Sequence, residues 1–151
     1  MNDEFGQHLT IDASECNVRK LGSISLVYDI LRELPKMIGM TIMTLPYVGK
    51  WKDVWAESEG ISGFVMIAES HISIHTFPEQ KYVFIDVFSC KKFNTEKAKE
   101  YLIEMFNAKK IIFKVIKRGL DFPRNRELEN NIFCPANAGR LSRLKTHGGV
   151  N

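Results

Sequence analysis

Three apolar, largely β-branched runs follow one another with almost no chain between them: residues 63–68, 71–77 and 82–88. The separators are Glu69-Ser70 and Pro78-Glu79-Gln80-Lys81. Connections this short join antiparallel neighbours, because a parallel crossover needs a dozen or more residues. The middle of the chain is therefore expected to be an antiparallel meander. It carries unusual cargo for a sheet: Ser70, His71, Ser73 and His75 lie within a segment that otherwise reads as strand.

The flanking segments add helices. Residues 6–12 alternate well enough for a first strand, and Cys16 follows in a polar loop. From Ser23 the period changes: Val27, Ile30, Leu31, Leu34, Met37 and Ile38 recur at helical spacing. This helix is expected to fray near Pro35 and end by Gly39. Residues 41–46 read as a strand stopped by Pro46, and residues 48–61 as a long loop holding Trp51, Trp55 and the acids Asp53, Glu57 and Glu59. Asn94 or Thr95 caps a second helix with Ala98, Tyr101, Leu102, Met105 and Phe106 on its buried stripe. Residues 111–116 form a last strand. The expected class is α+β: an antiparallel sheet with two main helices packed on one face.

Charge and composition narrow the function. The net charge of +3 is uneven, since residues 117–151 hold seven Lys or Arg against three acids and leave the rest at −1. The body is not a basic nucleic-acid-binding surface. Residues 1–120 are expected to form a single domain and 121–151 a basic, flexible tail. No apolar run is long enough to cross a bilayer. Met1-Asn2-Asp3-Glu4 lacks the basic and apolar regions of a secretory leader. Cys16, Cys90 and Cys134 are an odd number at no metal-ligand spacing, which reads as a reducing, cytoplasmic setting.

Pairing across the turns locates the unusual residues. A turn centred near Gln80 sets Ser70 opposite Cys90. A turn centred on Glu69-Ser70 pairs Phe64 with His75, leaving Ser62 and His75 diagonal neighbours within about 8 Å. His75 is five residues from Ser70, roughly 16 Å along a strand at about 3.3 Å per residue. Two local pairs result, Ser70/Cys90 and Ser62/His75, which do not meet within one chain. A two-fold homodimer brings them into register and makes two composite sites. Taken singly, Cys90 reads as a small buried hydrophobe and His75 as a core histidine.

The run 68–79, with residues 85–90, resembles the prokaryotic S-adenosylmethionine decarboxylase family of pyruvoyl-dependent, self-processing enzymes. Gly60-Ile61-Ser62-Gly63, Gly6-Gln7-His8-Leu9 with Cys16, and Arg118-Gly119 extend the match over roughly residues 5–120. The resemblance implies that the Glu69-Ser70 bond breaks, giving chains 1–69 and 70–151. Ser70 becomes the pyruvoyl group that forms a Schiff base with the substrate. His75 accepts the proton in processing, Ser62 assists it, and Cys90 donates the proton in decarboxylation. Trp55 and Asp12 are the candidates for substrate contact. No PLP, metal or nucleic acid is called for, and the partner is a small molecule.

The residue types suit that chemistry. Ser70 Oγ attacks the Glu69 carbonyl, and the oxyanion formed needs hydrogen-bond donors. Elimination leaves dehydroalanine, which hydrolyses to a ketone able to act as an electron sink. A thiol is a competent acid at neutral pH. The implied reaction is decarboxylation of S-adenosylmethionine for spermidine synthesis. Two alternatives stand beside it: a pyruvoyl-dependent arginine or ornithine decarboxylase, and a non-catalytic partner of an active homologue. The segment before Ser62 departs from the family pattern, with Ala56 where an adenine-stacking aromatic is usual, and Lys91 follows Cys90 where glycine is common.

Overall fold

A computed structural model describes residues 5–53 and 58–123. The described residues up to Leu120 belong to one compact unit, and a second unit begins at Asp121, of which only three residues are described. The elements are β1 (Gly6–Ser14), α1 (Val18–Leu21), α2 (Ile24–Met37), β2 (Thr41–Ile42), β3 (Tyr47–Asp53), β4 (Ser58–Ala68), β5 (Ser70–Phe77), β6 (Tyr82–Ser89), α3 (Thr95–Phe106) and β7 (Lys110–Arg118). All strands pair antiparallel in one sheet of order β2-β4-β5-β6-β1-β7, with β3 beside β4. Among the described residues no helix is long and apolar enough to cross a membrane.

The helices stand on caps visible in the sequence. Ser23 Oγ accepts from the Leu26 N–H at 3.2 Å, and Val27, Ile30, Leu31 and Leu34 bury the stripe that follows. Pro35 does not end α2. Its missing N–H falls in the last turn, its ring is buried, and its carbonyl accepts from the Met40 N–H at 2.8 Å. Gly39, at φ +76°, turns the chain away. Asn94 caps α3 at 2.9 Å, and Asn107 closes it in the left-handed region. The four-residue α1 lies where only a loop was expected, capped by Asn17 and too short to show a period.

One sheet face is the core. Leu9, Ile11, Val65, Ile67, Ile72, Ile74, Val83, Ile85 and Val87 point toward the helices and are essentially inaccessible. Their strand neighbours form the opposite face, with His8, Ser62, Phe64, Met66, His71, Ser73, His75, Phe84, Asp86 and Phe88 in register. That face leaves Tyr47 80% and Ile112 66% exposed, along with parts of Phe64, Met66, Phe84 and Ile116.

The expected loop over 48–61 is instead a hairpin of β3 with an extended β4, joined through residues outside the described set. Its polar, glycine-containing sequence hides the strand; packing supplies what propensity does not. The Trp51 ring lies against Gly60 and 5.2 Å from Phe77. A Cβ at Gly60 would sit 2.0 Å from the Thr76 carbonyl oxygen and 2.7 Å from the Trp51 ring. Gly60→Ala is therefore expected to destabilise the fold by about 1–3 kcal/mol. Gly49→Ala, which meets nothing within 4 Å, is the control in the same hairpin. Thermal denaturation of the two variants checks this.

Candidate active site

The site grows from the two turns flanking β5. The β4–β5 turn consists of Ala68 and Glu69, so that Ile67 pairs with Ser70 and Ser62 pairs directly with His75. This corrects the expected diagonal relation: centring the turn one residue earlier moves every partner by two. The β5–β6 turn holds four residues between Phe77 and Tyr82, closed by Lys81 at φ +52°. Ser70 consequently pairs with the buried Ser89, one position short of the expected Cys90.

Cys90 still reaches the cleavage candidate, through its backbone. Its N–H donates to the Glu69 carbonyl oxygen at 3.4 Å. Ser70 follows at φ +114°, a conformation side-chain-bearing residues rarely adopt. The half-buried Cys90 thiol has its pKa raised, first by burial and then by the Glu69 carboxylate, with Arg118 opposing. The proton thus stays on sulfur at neutral pH.

The second pair lies on the sheet face opposite the core. Ser62 Oγ and His75 Nδ1 are 2.9 Å apart. They border a groove of about 270 Å³ lined also by Tyr47, Lys50, Trp51 and Phe64. His75 is five residues along β5 from Ser70, so within one chain the two pairs remain apart by roughly 16 Å. Asp12 joins neither. It pairs with Phe84 on β6 and lines a separate groove of about 450 Å³ with Tyr82 and Lys110. Trp55 lies outside the described residues.

Sequence reading left His8 and His71 without roles, and both sit in the site's surroundings. His8 Nε2 is 3.0 Å from Asp86 Oδ1, and Arg118 donates to His8 Nδ1 at 3.3 Å. A guanidinium only donates, so Nδ1 accepts and the His8 proton sits on Nε2, facing Asp86. Ser73 Oγ donates to the other Asp86 oxygen at 3.4 Å, and Arg118 lies 4.6 Å over Phe88. These contacts join β1, β6 and β7, residues 78 and 110 positions apart in the chain, and no local pattern announces them.

Residues 7–119 match the model of the S-adenosylmethionine decarboxylase family. The S-adenosylmethionine decarboxylase proenzyme of Thermococcus kodakarensis is 37% identical over 120 residues, covering 79% of this chain and 80% of the relative. That of Thermodesulfovibrio yellowstonii is 35% identical over 129 residues, 85% of this chain and 91% of the relative. The crystal structure of the adenosylmethionine decarboxylase from Aquifex aeolicus superposes with a TM-score of 0.64 at 27% identity, over 78% of this chain and 92% of that one. With the family model spanning most of the chain and these relatives matched over four fifths or more of their length, the chain belongs to the S-adenosylmethionine decarboxylase family, a family of carboxy-lyases.

Proposed function

We propose that this protein is a self-processing, pyruvoyl-dependent decarboxylase of S-adenosylmethionine, whose product serves as aminopropyl donor for spermidine. The observation that carries the reading is the Cys90 N–H directed at the Glu69 carbonyl beside a conformationally strained Ser70. As Ser70 Oγ adds to that carbonyl, the developing oxyanion already has a donor. The peptide C–N bond breaks, the chain is held by an ester, and the Ser70 nitrogen is freed. Removal of the Ser70 α-proton, the step assigned to His75 with Ser62, expels the Glu69 carboxylate. Water then displaces ammonia, leaving pyruvoyl at the head of chain 70–151.

The surroundings suit such a group: Ser70 is half-buried beside the neutral His71 imidazole, and Cys90, whose thiol is protonated, is hydrogen-bonded through its N–H to the preceding residue. Once made, the ketone supplies an electrophile for the substrate amine and a sink for the electrons released with CO₂. Cys90 holds the proton the product carbon must receive. The gap between Ser70 and His75 supports a two-fold homodimer whose partners contribute one pair each. The uncovered, partly apolar sheet face with Tyr47, Phe64, Met66 and Ile112 is the surface that suits it.

Substrate choice rests on the groove beside Ser62 and His75. Its described lining is aromatic, with Lys50 and no carboxylate, which suits a flat heteroaromatic ring better than a guanidinium. Processed protein is expected to release CO₂ from S-adenosylmethionine and not from arginine or ornithine. Release from either amino acid instead would reassign the substrate, and release from none would favour a non-catalytic partner.

A further inference from the structure

Adjacent residues of a regular strand point to opposite faces. At the start of β5 this alternation fails: with Ser70 at φ +114°, its Oγ lies 3.4 Å from Nδ1 of His71, its own neighbour. The His71 ring is held in place. It stacks on Phe64 with centroids 5.3 Å apart and a 24° tilt, and meets Phe88 edge-on at 5.9 Å. His75, by contrast, is engaged with Ser62 most of a strand away.

We propose that His71 is the base that takes the Ser70 hydroxyl proton as Oγ adds to the Glu69 carbonyl, acting from within the same chain. The inference rests on the processing described above and assigns its first step. The Oγ–H proton passes to Nδ1, the O–C bond forms, and the carbonyl electrons collect on the oxygen facing the Cys90 N–H. Collapse breaks the C–N bond, and His71 returns its proton to the leaving nitrogen. Ester and amine result with no outside reactant. A contact of 3.4 Å is long for a hydrogen bond, and catalytic contacts commonly tighten as reaction begins.

The electrostatics agree. Burial, then the nearby His8, lower the His71 pKa; Arg118 lowers it further and Asp86 opposes. His8 on β1, Asp86 on β6 and Arg118 on β7 are the charged groups acting on the ring. A lowered pKa keeps the imidazole neutral, and able to accept a proton, until pH falls through that value.

The two histidines then separate by step. In newly translated full-length chain, His71→Ala and His71→Phe are expected to slow cutting on the order of 10²-fold or more, with no ester that hydroxylamine can cleave. His71→Phe keeps a ring between Phe64 and Phe88, so it separates lost chemistry from lost packing. Added imidazole is expected to restore His71→Ala, and the acid limb of the wild-type rate should vanish in both variants. His75→Ala, blocked later, is expected to accumulate the hydroxylamine-labile ester. Wild-type cutting rates in the His71 variants, ester accumulation in them, or slow cutting with an unchanged acid limb and no imidazole rescue would each overturn the assignment. A wild-type chain that never cuts would instead remove the processing reading itself, and this inference with it.

Discussion

Replacing Ser70 with alanine will leave a single uncut chain carrying no reactive carbonyl, and decarboxylation will be lost entirely. The effect is total because Ser70 supplies two things no neighbour can replace. In the proposed processing its Oγ is the nucleophile, and the carbonyl it attacks is already hydrogen-bonded to the Cys90 N–H. Its own carbons then become the pyruvoyl group. On this reading His71, Cys90 and Ser62 accelerate steps, but none of them is the residue whose nitrogen is bonded to the Glu69 carbonyl. A denaturing gel with hydrazide labelling reads both outcomes in one lane. The fold is expected to survive, because Ser70 sits half-buried beside the turn rather than among the buried residues of β4, β5 and β6.

Cys90→Ala is expected to give the opposite separation: normal cutting, a normal pyruvoyl group, and decarboxylation slowed by about 10²–10⁴-fold. The geometry makes this sharp. The contact to the Glu69 carbonyl comes from the Cys90 backbone N–H, which alanine keeps, whereas the proposed proton return to the product needs the thiol, which alanine lacks. The pH dependence follows from the direction of the shift. Burial and the Glu69 carboxylate raise the thiol pKa, so the donor stays protonated beyond the ordinary thiol range and is lost only as pH rises through the raised value. The wild-type alkaline limb should therefore lie above that of an exposed cysteine and be absent from Cys90→Ala. Cutting and turnover measured on the same preparations separate the two roles.

Much of the architecture was legible because β4, β5 and β6 alternate cleanly and their turns are short. Core residues such as Ile72, Ile74, Ile85 and Val87 follow directly from that period. Register was harder. Whether a turn is centred on Ala68-Glu69 or Glu69-Ser70 leaves the apolar pattern almost unchanged, yet it decides whether Ser62 bonds His75 or sits diagonal to it. The β3 hairpin escaped because Gly49, Lys50 and Lys52 mask its strand character, while the contact holding it, Trp51 over Gly60, is tertiary. Fraying was expected near Pro35, but in the final turn of α2 it removes only one bond, and the helix ends before Gly39 as expected.

The candidate site divides the same way. Ser70, His75, Cys90 and Ser62 were singled out by the motif that resembles the family, since taken singly Cys90 and His75 read as ordinary core residues. His71 was not, since regular alternation turns it away from Ser70, and only the positive φ of Ser70 brings the two together. The contact of His8 with Asp86 and Arg118 depends on β1 lying between β6 and β7, which no local spacing specifies.

Intact mass of freshly made protein tests the central claim most directly. A fragment ending at Glu69, together with one beginning at residue 70 and lighter by one ammonia than simple hydrolysis would leave it, is the expected result. A chain that keeps its full mass on prolonged incubation at neutral pH, or two fragments whose masses correspond to plain hydrolysis at that bond, would contradict it.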